Sequence, residues 1–166
     1  MLKNTAFVLP LLLLALSIPN SAQTTSEQEK NKAVARSFFE DVLSPGKLEK
    51  YSDSHTPDFV AHGSNGDYTL AEDMAAARDE RTAMPDMQMK VNQMVAEGDL
   101  VAVRWTAWGT NTQAGMGFPA TGKKIRISGI TIFRFKAGKM SEEWSAWDML
   151  SVLKQAGLFP ANRPAN

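Results

Sequence analysis

A change of hydrophobic period after Asp86 constrains the fold of this chain more than any other feature. Before it, apolar residues recur at helical spacing, and after it they alternate with polar residues at the period of a β-strand. The runs LVAVRWTAWGTN (residues 100–111) and KIRISGITIFRF (residues 124–135) carry bulky apolar side chains on both faces. A sheet that is apolar on both faces is covered on both. We therefore expect an α+β domain, in which N-terminal helices cover one face of a bent antiparallel sheet and a second subunit covers the other.

The N-terminal half predicts three helical segments and one short strand. An S-x-x-E capping pattern at Ser26 opens an amphipathic helix that should end at about Pro45. Its apolar stripe, which includes Phe38, either belongs to the core or roofs a cavity. A T-x-x-E pattern at Thr69 opens another helix. Between them the run DFVAHG, which includes His62, alternates as a strand. Helices wrapped by a bent sheet form a cone, with a cavity between the two layers.

Residues 1–22 have the pattern of a signal peptide. Lys3 supplies a positive start, residues 6–16 are almost unbroken apolar, and Ala22 is a small residue suited to cleavage. The apolar run is too short for a transmembrane helix, which needs about 20 residues. We expect cleavage near Ala22 and export to the periplasm or the medium. Residues 23–160 then form one domain, and residues 161–166, rich in Pro and Asn, form a disordered tail.

Charge and cysteine content exclude several classes of function. The signal segment holds one lysine and no acid, so 17 basic residues face 18 acidic ones in the mature chain. A near-neutral chain gives no electrostatic reason to bind nucleic acid or an anionic membrane. The chain has no cysteine, which excludes disulfides and thiol chemistry. The aromatic and methionine content instead suits a pocket for a small apolar or aromatic molecule.

The run KMSEEWSAWDML (residues 139–150) contains the strongest candidate for a catalytic group. In an extended chain Met140, Glu142, Trp144, Ala146 and Asp148 share one face, so an inward face would place Asp148 at the edge of the pocket. A carboxylate in partly apolar surroundings is suited to proton transfer. The same residue precedes the helical pattern MLSVLKQAG, where Asp is a favoured N-cap. The two roles are compatible, and both stay open at this point.

His62 is the second candidate for chemistry, as an acid, base or hydrogen-bond donor near neutral pH or as a hydrogen-bonded structural histidine. A metal site of His55, Asp58 and His62 is the weaker interpretation, because Pro57 makes the direction of His55 unpredictable. The loop GFPATGK (residues 117–123) resembles a phosphate-binding loop, but Lys124 stands where Ser or Thr is required. We read it as a connecting loop that can fold over the pocket. Candidate ligand contacts are Phe38, Arg104, Trp108 and Trp144.

A family resemblance is carried by motifs that occur in order along the chain: FVAH, VAEGD, VRWTAWGT, PATGK, GITIFRF, GKMSEEW and WDML. With these the chain resembles the SnoaL-like polyketide cyclase or ester cyclase family of the NTF2-like superfamily, whose fold is a cone of the α+β class. The resemblance implies catalysis without a cofactor or metal, in which an aspartate removes a proton beside a carbonyl and the enolate closes a ring by aldol attack. That aspartate maps onto Asp148, and His62 falls where many relatives carry a histidine. Glu143 stands where relatives often have histidine, so no role is implied there.

Two hypotheses follow for the function. The first is an exported cyclase, isomerase or lyase that uses Asp148 as base and His62 as its partner. The second is a non-catalytic pocket that binds an apolar or aromatic ligand. Catalysis by this pair requires that Asp148 and His62 face one cavity.

Overall fold

The computed structural model describes residues 21–159, with side chains from residue 25. The predicted signal peptide lies almost wholly outside this range and the predicted tail lies wholly outside it, so both stay predictions. The described elements are α1 (Ser21–Ser37), a π-helical turn (Phe38–Leu43), a 3-10 helix (Leu48–Ser54), β1 (His55–Gly63), β2 (Gly66–Thr69), α2 (Leu70–Ala83), β3 (Gln88–Glu97), β4 (Leu100–Thr110), β5 (Lys124–Lys136), β6 (Lys139–Trp147) and α3 (Met149–Ala156). No helix between residues 21 and 159 is long and apolar enough to cross a bilayer.

The start of α2 follows the predicted capping pattern, whereas the start of α1 does not. At α2 the backbone N–H of Glu72 donates to Thr69 Oγ1, and the backbone N–H of Thr69 donates to Glu72 Oε2 at 2.8 Å. This is the predicted capping box. The predicted cap at Ser26 is wrong, because α1 begins at Ser21 and residues 21–25 contain no helix breaker. The helical run ends at Leu43, just before Pro45, as predicted.

The six strands form one curled, open sheet in the order β2-β1-β6-β5-β4-β3. All neighbouring pairs are antiparallel, as predicted, except β1 and β6, which are parallel. The chain between β1 and β6 contains α2 and the β3–β5 meander, so it has the length that a parallel pairing requires. The α+β prediction is confirmed.

The two faces of β4 and β5 separate as the alternation predicts. The inner face buries Val101, Val103, Trp105 and Ala107 on β4 and Ile125, Ile127, Phe133 and Phe135 on β5. These pack against Phe38 and Phe39 of the π-helical turn; the Phe39 and Trp105 rings are 6.0 Å apart. The outer face leaves large apolar side chains exposed: Val95, Trp108, Ile130 and Ile132.

A β-bulge at Ser141 reverses the faces of β6. Phe135 pairs with Met140, but the next residue on β5, Arg134, pairs with Glu142, so Ser141 has no direct partner. One extra residue moves every later side chain to the opposite face. Beyond the bulge the inner face therefore carries Glu143, Ser145 and Trp147, which line the cavity described below. The predicted inward face, with Glu142, Trp144 and Ala146, was wrong for this reason.

Candidate active site

The cavity lies between the π-helical turn, the 3-10 helix, α2 and the inner face of the sheet, and has a volume of about 560 Å³. A cavity of this size accommodates a drug-sized ligand. Most of its wall is apolar and aromatic, with Phe38, Phe39, Tyr51, Trp105, Phe133 and Trp147 among the lining residues. Such a wall favours a flat, largely apolar molecule.

Four acidic residues line this apolar space: Glu72, which belongs to the capping box of α2, and three whose carboxyl groups have no capping role. Asp73 and Glu80 lie seven residues apart on α2, which puts them on one face of the helix, and Glu143 enters from β6. No hydrogen bond from another described residue reaches the carboxyl group of Glu80 or Glu143. None of the described residues that line the cavity is Lys, Arg or His. The cavity therefore concentrates acidic groups without a cation to neutralise them.

Burial in this space raises the pKa of each of the three carboxyl groups that have no capping role. Loss of hydration raises the pKa of Glu143 to about 8 and that of Glu80 to about 7, and the negative charge of Asp73 contributes to both shifts. Part of the surface of each of the three side chains borders the cavity, so all three are half-buried. Protein nevertheless surrounds them. The shifts therefore follow from the enclosed, mostly apolar surroundings.

Asp73 differs from the two glutamates because it has a hydrogen-bond donor. The Tyr51 hydroxyl donates to Asp73 Oδ2 at 2.5 Å. Burial raises the pKa of Asp73, whereas this hydrogen bond lowers it. Burial and the charge of Asp73 raise the pKa of Tyr51 well above its ordinary value, so Tyr51 stays a donor. The hydrogen bond from Tyr51 favours the ionised form of Asp73, whereas Glu143, with a pKa of about 8, stays protonated at neutral pH. One cavity thus contains carboxyl groups in two different environments, because Asp73 has a hydrogen-bond donor and Glu143 has none among the described residues.

Asp148, the base predicted from the sequence, does not line this cavity. Its carboxylate accepts a hydrogen bond from the backbone N–H of Ser151 at 2.9 Å and caps α3, and the residue is exposed. The helix-cap interpretation is confirmed. Its role as a base stays a prediction.

His62 also lies outside the cavity, on the other side of β1. Its Nδ1 is 3.0 Å from Asp67 Oδ1 and its Nε2 is 3.2 Å from Glu142 Oε2, and its ring stacks on Trp144 at 4.7 Å. The hydrogen bond with Asp67 is the main cause of a raised pKa for His62. Asp148 and His62 therefore do not face one cavity, which is the arrangement that catalysis by this pair requires.

The candidate ligand contacts are divided between the two faces of the sheet. Phe38 lines the cavity. Trp144 lies on the outer face because of the bulge at Ser141, and its ring accepts a cation–π contact from Arg134. Arg104 and Trp108 are on the outer face of β4, and both are exposed. A ligand in the cavity contacts only the first of these four.

The remaining sequence motifs have structural roles. His55 is buried against aromatic rings, with its Nδ1 2.7 Å from the carbonyl oxygen of Tyr51. Burial lowers the pKa of His55 to about 4, so it is a neutral core residue. The described residues 21–159 include no cluster of three or more His, Asp or Glu that could hold a metal ion.

The glycine-rich loop between β4 and β5 closes part of the cavity. Met116 lines the cavity, and its backbone N–H donates to Asp79 Oδ2 at 2.6 Å. A Cβ at Gly115 would lie 2.8 Å from the carbonyl oxygen of Asp79, so only glycine allows this approach to α2. The strand that follows at Lys124 agrees with the interpretation of a connecting loop.

Sequence reasoning missed the carboxyl groups of the cavity. A signal was present on α2, where Asp73, Ala77 and Glu80 share a face and Ala77 is buried. Acidic residues beside a buried position indicate that this face does not point to solvent. For Glu143 the sequence offered no comparable signal, because its face depends on the bulge.

Comparison with known proteins agrees with this fold. The model of the SnoaL-like polyketide cyclase family matches residues 33–156. No match was found among the curated proteins. The chain is similar to the solved structure of AclR, a proposed hydroxylase from Streptomyces galilaeus, at 25% identity and a TM-score of 0.75, with 82% of this chain and 87% of that chain covered. It is also similar to a proposed polyketide cyclase from Acidithiobacillus ferrooxidans, at 28% identity and a TM-score of 0.68, covering 77% and 94%.

A third solved structure, a SnoaL-like polyketide cyclase from Agrobacterium tumefaciens, is 15% identical with a TM-score of 0.64 and covers 75% of this chain and 96% of that chain. At this identity the likeness shows the fold alone. The family match spans most of the chain, and the architecture agrees with it. Membership fits a cyclase or isomerase role with a small-molecule ligand. The chain belongs to the SnoaL-like polyketide cyclase family.

Proposed function

We propose that this protein catalyses proton transfer at a carbon beside a carbonyl group, without a cofactor, and so closes a ring or shifts a double bond in a small apolar substrate. The observation that carries the proposal is that Asp73, which accepts a hydrogen bond from Tyr51, shares an apolar cavity with Glu80 and Glu143, whose pKa values are raised to about 7 and about 8. This combination supplies a base and an acid at the same pH. An ester-bearing polyketide is the substrate class that the family relationship suggests.

Asp73 is the base in this mechanism. Its carboxylate takes the proton from the carbon, and the electron pair of the broken C–H bond forms an enolate. The Tyr51 hydroxyl, 2.5 Å away, orients Asp73 and favours its ionised form. Glu143 is the acid, because its protonated carboxyl group donates a hydrogen bond to the carbonyl oxygen as negative charge develops there.

The enolate then has two outcomes that depend on the substrate. Attack on a second carbonyl of the same molecule forms a carbon–carbon bond and closes a ring, and the new alkoxide takes back the proton that Asp73 removed. Return of the proton to a different carbon completes an isomerisation. Both outcomes regenerate the Asp73 carboxylate, so the cycle consumes no other reactant.

Exchange of α-protons tests the proton-transfer step without knowledge of the natural substrate. We expect the protein to accelerate deuterium incorporation into 2-tetralone in D₂O, measured by NMR. Asp73→Asn should lower that acceleration roughly 100-fold or more, since general-base catalysis contributes about that much. Asp53→Asn, an exposed aspartate on the neighbouring 3-10 helix, is the matched control and should leave the rate unchanged.

The same assay separates this proposal from the base predicted on the sequence. If Asp148→Asn removes exchange and Asp73→Asn does not, the site at the start of α3 is the active one and our assignment fails. Under our mechanism the exchange rate should also decline above about pH 8, because Glu143 then loses its proton. A rate that keeps rising with pH to 9.5 would contradict the role of Glu143 as acid.

Binding without catalysis is the second candidate function. It is favoured by the apolar wall of the cavity and by its volume of about 560 Å³. Native mass spectrometry of the purified protein should then detect a co-purified apolar molecule. Release of an unchanged ligand, with no exchange of any ketone probe, would favour this candidate.

Export and dimerisation complete the proposal. The charged start, the apolar run and Ala22 support export, and an intact mass that begins near Gln23 would agree with it. Full-length chain recovered only from membranes would contradict it. The exposed apolar side chains of the outer sheet face support a homodimer through that face.

A further inference from the structure

Three polar side chains on adjacent strands form a hydrogen-bonded chain that ends in the cavity. The indole Nε1–H of Trp105 on β4 donates to Thr131 Oγ1 on β5 at 3.0 Å. Thr131 Oγ1 lies 2.7 Å from Ser145 Oγ on β6. All three residues line the cavity, and Ser145 is exposed.

The direction of the second hydrogen bond follows from the chemistry of the first. An indole nitrogen only donates, so Thr131 Oγ1 accepts from Trp105. Thr131 is 2% exposed, and among the described residues its only other side-chain partner is Ser145. If Ser145 donated to Thr131, the hydroxyl hydrogen of Thr131 would be buried without an acceptor, which is unfavourable. Thr131 therefore donates to Ser145, and the hydroxyl hydrogen of Ser145 is left to donate into the cavity.

Gly129 allows this hydrogen-bonded chain of side chains to form. Trp105 pairs directly with Gly129 across β4 and β5, and its ring passes over that residue to reach Thr131. A Cβ at Gly129 would lie 2.3 Å from Cζ2 of Trp105. A side chain at this position would therefore displace the indole from Thr131.

Ser145 stands next to the acid assigned above. Glu143 and Ser145 are two residues apart on the inner face of β6, so their side chains are roughly 7 Å apart along the strand. The carboxyl group of Glu143 stands on a side chain two carbons longer than that of Ser145, so it can lean along the strand until one ligand oxygen is within reach of both donors. Two donors aimed at one oxygen are the arrangement that stabilises negative charge on a carbonyl oxygen.

We propose that Ser145 is a second hydrogen-bond donor to the carbonyl oxygen of the ligand, and that Thr131 and Trp105 are positioning residues that orient its proton. The inference deepens the proposed function and rests on it for the identity of the ligand as a carbonyl compound. It predicts that the cavity prefers a ketone or ester to a hydrocarbon of the same shape.

A pair of probes that differ in one oxygen tests this preference. 2-Acetylnaphthalene has a carbonyl acceptor, and 2-ethylnaphthalene has nearly the same shape without one. Isothermal titration of the wild-type protein should show tighter binding of the ketone. In Ser145→Ala the affinity for the ketone should fall roughly 3- to 10-fold, the value of one neutral hydrogen bond, while the affinity for the hydrocarbon is unchanged. A structural defect would weaken both probes.

Variants of Thr131 test the positioning role. Thr131→Val keeps the shape but cannot donate, so it should weaken ketone binding selectively, and Thr131→Ser should restore it. Added to Ser145→Ala, Thr131→Val should cause no further loss, because both changes remove the same interaction. Ser141→Ala is the matched control, since the hydroxyl of Ser141 donates to the carbonyl oxygen of Arg134 outside the cavity.

The infrared carbonyl stretch of the bound ketone gives an independent measurement. Donation from Ser145 should shift the band to lower frequency, and the band should move back in Ser145→Ala. The proposal is overturned if the wild-type protein does not bind the ketone more tightly than the hydrocarbon. The proposal is also overturned if Ser145→Ala lowers the affinity for both probes equally, or does not lower the affinity for the ketone.

These results separate the donor from the proposed function. Selective loss of the ketone in Ser145→Ala, together with unchanged 2-tetralone exchange in Asp73→Asn, supports the donor and refutes the mechanism. Exchange that depends on Asp73, together with unchanged ketone binding in Ser145→Ala, refutes the donor alone.

Discussion

Replacing Glu143 with glutamine should stabilise the protein above neutral pH and remove the acid from the cavity. Glutamine keeps the size of the side chain but cannot ionise. In the folded protein the pKa of Glu143 is raised to about 8, against 4.5 in the unfolded chain. A carboxyl group with a raised folded pKa contributes stability that is complete below pH 4.5 and is lost as the pH rises through 8. Glu143→Gln should not lose stability in this way, because glutamine does not ionise.

The size of the effect follows from the pKa shift. Between pH 4.5 and pH 7 the folded protein retains a proton that the unfolded chain releases, so full linkage gives about 3 kcal/mol at pH 7. Glu143 is only half-buried, and solvent screening reduces this value. We expect a gain of roughly 1–2 kcal/mol in the free energy of unfolding at pH 7.5, and about 3–8 °C in Tm.

Urea unfolding at pH 4.5, 6 and 8.5 measures the effect. The stability difference between Glu143→Gln and the wild-type protein should grow with pH. Glu142→Gln is the matched control, because Glu142 lies on the outer face and forms ion pairs with His62 and Arg134. It should show no gain at high pH. A difference for Glu143→Gln that is the same at all three pH values would refute the raised pKa, and with it the role of Glu143 as the acid.

Four further predictions concern other parts of the molecule. The pKa of His55 is lowered to about 4, so its contribution to stability is complete above pH 6.5 and is lost as the pH falls toward 4. The loss is about 3 kcal/mol, and His55→Leu should not show it when unfolding in urea is measured against pH. Gly129→Ala should cost roughly 1–3 kcal/mol and alter tryptophan emission, because its Cβ would collide with Trp105; unchanged emission and Tm would contradict the packing. Ile130 is 51% exposed on the outer face, so Ile130→Asp should dissociate the proposed dimer, and sedimentation at micromolar concentration should show a monomer. A wild-type protein that is already monomeric refutes the dimer. Asp148→Ala should cost about 1 kcal/mol by loss of the α3 cap while Asp148→Asn costs little, so equal Tm values for both variants would contradict the cap.

Much of the architecture could be predicted from local patterns. The change from helical to alternating period predicted helices followed by four long strands, and the alternation in β4 and β5 predicted which side chains share a face. The capping box at Thr69 predicted the start of α2, because both hydrogen bonds join residues within one turn. These features depend on residues that are near one another in the sequence, and the sequence therefore determines them.

The candidate site was decided by the tertiary structure. The bulge at Ser141 arises from pairing between β5 and β6, and it alone directs Glu143 into the cavity while Trp144 faces outward. Asp73 comes from a helix seventy residues earlier in the chain, and only the folded arrangement brings these acids into one apolar space. Their raised pKa values depend on that enclosure and on their mutual repulsion. The pKa of a carboxyl group cannot be read from the sequence, because it depends on hydration and on nearby charges. Both are set by neighbours that come together only when the chain folds.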